Sequence, residues 1–106
     1  MPDSSANPAV PITITVNDNG TLSVQPEWFI VHKHRDEMVK WSCTQADQYF
    51  TVEFGDGSPF YESHFSKDHP CSGLVRRNVE PDKNRGYKYT VRVGDKVLDP
   101  EGAVDK

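Results

Sequence analysis

The chain has 106 residues and a formal net charge of −4, from 12 Lys and Arg against 16 Asp and Glu. That length makes a single domain, no apolar run approaches the roughly 20 residues of a membrane span, and the acidic balance lacks the cationic face that sequence-independent nucleic-acid binding requires. Val occurs 12 times against three Leu and four Ala, and eight Pro and seven Gly punctuate the chain, so composition favours pleated sheet over helix.

The opening stretch, MPDSSANPAVP, has no cationic start and no apolar h-region. It predicts a flexible N-terminal segment over 1–11, a single β-sandwich domain over 12–106, and a cytoplasmic protein, or a periplasmic one if an export signal has been trimmed. Ile12, Ile14 and Val16 then alternate with Thr13 and Thr15, a period-2 strand. Asn19-Gly20 signals a hairpin, because both residues tolerate positive φ, and Leu22 and Val24 resume the alternation until Pro26. Glu27 to Val31 is a short apolar run. His32, Lys33 and His34 read as a polar turn, and Val39, Trp41 and Cys43 share one face of the next strand. Phe50, Val52 and Phe54 point inward from Tyr49 to Phe54. The clearest strand is Tyr87 to Val93, with Tyr87, Tyr89, Val91 and Val93 on one face. Val97-Leu98 followed by Asp99-Pro100 predicts a final hairpin and a closing edge strand. Short strands at regular spacing describe an all-β protein, a β-sandwich or barrel. Its predicted core includes Trp41, Phe50, Val52, Phe54, Tyr89 and Val91.

Gly55 to Asn84 breaks the rhythm. About thirty residues without alternation form one long irregular loop, and long loops held on a rigid scaffold are where function concentrates. Phe60, Tyr61 and Phe65 argue that part of it packs against the sandwich, with room for a short helical turn.

Trp28-Phe29-Ile30-Val31, Val39-Lys40-Trp41, Phe50 to Phe54 and Tyr87-Lys88-Tyr89-Thr90-Val91 occur in an order that resembles a cupredoxin-like domain. The likeness is to small bacterial members ending in a Tyr-x-Tyr-x-Val strand and a Leu-Asp-Pro turn, here Leu98-Asp99-Pro100. It implies a Greek-key, immunoglobulin-like antiparallel β-sandwich and a blue copper site. Such a site needs two imidazoles, a thiolate and a weak thioether. Thr44 to Phe50 holds no His, and Val93 to Pro100 holds no Cys, His or Met, so the copper function is not expected to accompany the fold. A second likeness rests on YFTVEFGDGS, residues 49–58, which resembles the Phe-Gly-Asp-Gly-Ser signature of polycystic-kidney-disease-type domains. Those are extracellular interaction modules, also β-sandwiches. Gly-Asp-Gly is also a good turn.

His64, His69 and Cys71 lie within eight residues, and imidazole with thiolate suits zinc or copper. A fourth ligand would come from elsewhere, such as Cys43 or a carboxylate. His32 and His34, at i and i+2, would share a face of extended chain. Cys71 with His64 or His69 lacks an orienting third group for nucleophilic catalysis, and Asp56, Glu62 and Asp68 form a carboxylate set only if folding gathers them. Arg76, Arg77, Lys83, Arg85, Lys88 and Arg92 make the C-terminal half locally basic, which on a strand face protects an edge. Cys43 is expected buried, and Cys71 reactive beside Lys67, His69 and Arg76, unless the two form a disulfide. These residues point to a non-catalytic binding or interaction module with no cofactor. Its partner would be an unidentified protein or small ligand, its state a monomer or weak dimer, and the Gly55 to Asn84 loop its functional surface. Metal binding through His64, His69 and Cys71 is the alternative.

Overall fold

A computed structural model describes residues 9–45, 47–55 and 57–106. Its strands are β1 (Ala9–Val16), β2 (Leu22–Gln25), β3 (Trp28–His32), β4 (Met38–Cys43), β5 (Phe50–Glu53), β6 (His64–Ser66), β7 (Asp82–Lys88), β8 (Thr90–Val93), β9 (Lys96–Leu98) and β10 (Glu101–Asp105). The only helical element among the described residues is a 3-10 turn at Lys33–Arg35. The strands form three sheets, ordered β2-β1-β4, β3-β10-β7 and β6-β5-β8-β9. The protein is therefore nearly all β, but not purely antiparallel. β1 runs parallel to β4, and β3 parallel to β10. The cause lies at Pro26: the chain leaves the first sheet there, crosses as β3, and returns as β4 on the other side of β1, the crossover that parallel pairing demands.

β1 starts at Ala9, three residues before the expected Ile12, with Ala9, Val10 and Pro11 opposite Met38, Val39 and Lys40. The remainder of the expected flexible segment, residues 1–8, lies outside the described residues. The expected β1–β2 hairpin forms and turns through residues 17–21. Gly20 alone takes positive φ, at 87°, and donates its N–H to Asn17 O at 3.0 Å. Asn19 Oδ1 accepts from both the backbone N–H and the hydroxyl of Thr21.

The predicted Tyr87–Val93 strand is two strands. β7 pairs with β10 and β8 pairs with β5, so the chain changes sheets at Tyr89, whose N–H donates to Pro100 O at 3.0 Å. The inward alternation survives the change, and Tyr87, Tyr89, Val91 and Val93 are all buried. β10, expected as a closing edge, is the central strand of its sheet. β7 takes the edge position, and its exposed Lys83 and Arg85 suit an unpaired border. Arg85 also caps the Tyr87 ring, 4.5 Å from its centroid.

All six predicted core residues are buried. Six aromatic rings pack together, and Phe54 touches the other five: Phe29, Trp41, Phe60, Phe65 and Tyr89, with centroids 5.0–6.5 Å apart. Two polar atoms enter this core without partners, Trp41 Nε1 and the Tyr89 hydroxyl. Burial pushes the Tyr89 phenol up from 10 to about 12, and the facing Trp41 indole pulls the other way without closing a hydrogen bond. A group whose pKa is raised by folding contributes fully below its unfolded value and loses that contribution as pH rises through its folded one. Stability should therefore fall between pH 10 and about 12, by roughly 3 kcal/mol for such a gap. Tyr89→Phe should match the wild type near neutrality, since it removes an unpartnered hydroxyl. It should also lose this part of the alkaline decline. Urea midpoints at pH 9, 10.5 and 11.5 for both proteins check it, and parallel curves would refute it.

Candidate functional site

The 55–84 stretch is more ordered than its sequence suggests. It contains β6, which pairs with β5, and isolated bridges join Phe60 to Val75 and Cys71 to Lys40. No helical turn forms in its described part. Two buried serines pin it. Ser58 Oγ donates to Glu62 O at 2.7 Å and accepts from Phe60 N–H at 3.1 Å. Ser72 Oγ accepts from Val39 N–H at 2.8 Å, and the Ser72 N–H donates back to Val39 O at 2.8 Å. With Trp41 N–H donating to Pro70 O, residues 70–72 extend the first sheet along the free side of β4. Phe60, Phe65, Val75 and Val79 anchor the segment in the core. Lys33 Nζ ties down its far end, donating to Arg77 O and Val79 O at 2.7 Å each.

On this frame Tyr61 stands 69% exposed and Leu74 40% exposed. Arg77 N–H donates to the Tyr61 hydroxyl at 3.1 Å, which holds the ring upright. Tyr61, Leu74 and Val75 line a depression of about 270 Å³ with Lys33, Asp36 and Arg77 at its rim. Of the three aromatics expected to pack the loop against the sandwich, Phe60 and Phe65 are buried but Tyr61 is not; large apolar residues in an irregular stretch carry no periodicity to show which way they point.

The three expected metal ligands each have a separate partner. Glu53 and His64 are directly opposite across β5 and β6, so their side chains share a face, and His64 Nε2 meets Glu53 Oε2 at 3.0 Å. His69 closes a tight turn with Ser66, stacks on Phe65 at 5.8 Å, and reaches Glu62 Oε1 at 2.6 Å. The Cys71 thiol donates to Met38 Sδ at 3.0 Å. Among the described residues no three His, Cys, Asp or Glu side chains gather as a metal would need. His32 and His34 part company because the chain leaves the strand at Lys33 and enters the 3-10 turn. His34 is exposed there, while His32 is held between Glu37, 2.9 Å from its Nδ1, and Asp105, 4.0 Å from its Nε2. Burial raises the Glu37 carboxyl, but the backbone N–H and ring of His32, helped by Arg35, outweigh it and hold Glu37 below the usual carboxylate range. Of the carboxylate set, Asp56 lies outside the described residues and Glu62 is committed to His69.

Both cysteines are free and half-buried. Cys43, expected to be buried, is the last residue of β4, where the chain leaves the sheet and cover runs out. Lys40 and Cys71 are paired across the bridge, so Cys71 lies on the face of Lys40 and Met38, whereas Cys43 follows Val39 and Trp41 to the other. That opposition disfavours a disulfide. No family model matches the chain, and no curated protein or solved structure matches it either. Its class is that of a nearly all-β protein carrying a pinned, partly apolar loop face.

Proposed function

We propose that this chain is a non-catalytic binding module on a cupredoxin-like β-sandwich without a blue copper site, and that residues 57–81 form its contact face for a protein partner. The observation that carries this reading is the pair Tyr61 and Leu74, 69% and 40% exposed on a segment otherwise fastened to the core. Large apolar side chains exposed together within a charged rim suit contact surfaces, and Tyr is favoured at their centres. A segment already held by Ser58, Ser72 and Lys33 loses little freedom on binding. The reading carries no blue copper site because the turn between β8 and β9, Gly94-Asp95, offers no soft ligand. Two free thiols suit a cytoplasmic setting.

Metal binding is the second reading, favoured by one contact: Cys71 and Met38 place two soft sulfur donors 3.0 Å apart. One experiment separates the two. A photo-crosslinking phenylalanine analogue at position 61 should give a discrete protein adduct that Leu74→Asp abolishes. Zinc or cuprous ion at one equivalent should leave the thermal midpoint unchanged. No adduct, with a midpoint raised several degrees by metal and not in Cys71→Ser, would transfer the function to the sulfur pair.

A further inference from the structure

A second concavity, about 470 Å³, sits away from the 57–81 face and shares no residue with it. It is bordered by β2, by Glu27 and Trp28 at the start of β3, and by the passage from β9 to β10 through Asp99 and Pro100. Each of β2, β3 and β9 is the outer strand of its own sheet. The groove is therefore bordered by an outermost strand of each of the three sheets. Trp28 lies at this opening, 39% exposed.

The charge at this groove is one-sided. Glu27, Asp99 and Glu101 line it, and among the described residues none of the three is ion-paired with a Lys or Arg. Among the described residues Asp99 accepts only the Thr90 hydroxyl, at 2.8 Å. Gly86 lies behind the indole: a Cβ there would meet both the Glu101 carboxylate and the Trp28 ring edge. That absence of a side chain lets carboxylate and indole lie next to each other. Glu101 stands opposite Lys88 across β10 and β7 without an ion pair between them, and a flat aromatic face beside carboxylates that no Lys or Arg bridges complements a planar cation, which stacks on the ring and donates in a fork to carboxylate oxygens. A guanidinium does both, whereas an ammonium is a compact, strongly hydrated point charge. The surrounding strand edges offer backbone donors and acceptors to an extended chain, as in strand addition.

We propose that this groove binds an arginine side chain presented by an extended peptide, with the guanidinium against Trp28 and among Glu27, Asp99 and Glu101. The site is independent of the Tyr61–Leu74 face, so either can fail alone. The full chain is titrated with acetyl-Ser-Val-Arg-Val-Ser-amide while tryptophan fluorescence and backbone amide NMR shifts are recorded. The exposed Trp28, not the buried Trp41, is the reporter. Saturable binding is expected, with amide shifts centred on residues 22–28 and 98–101. The Lys-substituted peptide and arginine amide alone should each bind at least about tenfold more weakly, a loss on the scale of one stacked, forked cation. Trp28→Leu should weaken the peptide to a similar degree. Glu27→Gln with Asp99→Asn, both at exposed positions, should do the same should Trp28→Leu fail to fold. The proposal is overturned by non-saturable binding or by shifts centred on Tyr61 and Leu74. Equal affinity for the Lys peptide would reduce the site to charge attraction, and equal affinity for arginine amide would remove the peptide from it.

Discussion

Phe54→Ala should cost the protein about 3–5 kcal/mol, the usual range for truncating a buried Phe. Phe54 is fully buried, and its ring touches five other aromatic rings drawn from β3, β4, the loop, β6 and the Tyr89 crossing. Those neighbours come from all three sheets and the loop, so the cavity cannot collapse by moving one of them. Domains of this size are stable by only about 5–15 kcal/mol, and each kcal/mol shifts the midpoint by roughly 4–8 °C. The expected result is a midpoint lowered by at least about 12 °C, with loss of near-ultraviolet dichroism as the aromatic cluster loosens. Phe54→Leu, which keeps most of the volume, should cost far less. A calorimetric midpoint within a few degrees of the wild type for Phe54→Ala would show that the rings do not depend on their hub.

Gly102→Ala should be nearly as damaging for the opposite reason. Gly102 is the second residue of β10, between Phe29 on β3 and Tyr87 on β7. A Cβ at this position would overlap carbons of the Phe29 ring. Phe29 is fully buried, so the ring cannot swing away into solvent, and overpacking of this kind costs about 1–3 kcal/mol or more. Gly55→Ala is the control, since its Cβ would meet nothing within 4 Å. The cause can be isolated with a double-mutant cycle. Phe29→Leu should cost stability alone but recover part of the loss in Gly102→Ala, a coupling between contacting residues. Strict additivity of the two would place the damage in the backbone and not in the ring.

These two sites mark what the sequence could and could not reveal. Phe54 was legible because Phe50, Val52 and Phe54 alternate cleanly, and alternation follows directly from the pleat. Gly102 was not, because Glu-Gly-Ala-Val-Asp has low strand propensity and its value lies in fitting beneath Phe29, a partner 73 positions away. The change of sheet at Tyr89 was hidden for a related reason: inward alternation continues unbroken through Tyr87, Tyr89, Val91 and Val93 while the hydrogen-bonding partner changes from β10 to β5. Parallel pairing leaves no local mark, since it depends on the path through Pro26. Of the candidate residues, His64, His69 and Cys71 were correctly seen as close in sequence. Their separation follows from strand register, which sends His64 to Glu53 and Cys71 to Met38. Trp28 read simply as part of an apolar run, whereas in β3 it lies on the face opposite the buried Phe29 and Val31.

The position of β10 bears on how the chain is made. A ribosome releases residues in order, and β3 and β7 have no in-sheet neighbour until residues 101–105 arrive between them. The β3-β10-β7 sheet cannot assemble progressively from the N-terminus; it closes in one step, when β10 enters a gap already flanked by Phe29 and Tyr87. Pairing across so much sequence is slow, because the closure entropy must be met before the contacts form. During synthesis two strand edges stand open, and open edges invite pairing with other chains. The charged border of β7 then protects the nascent chain as well as the finished one.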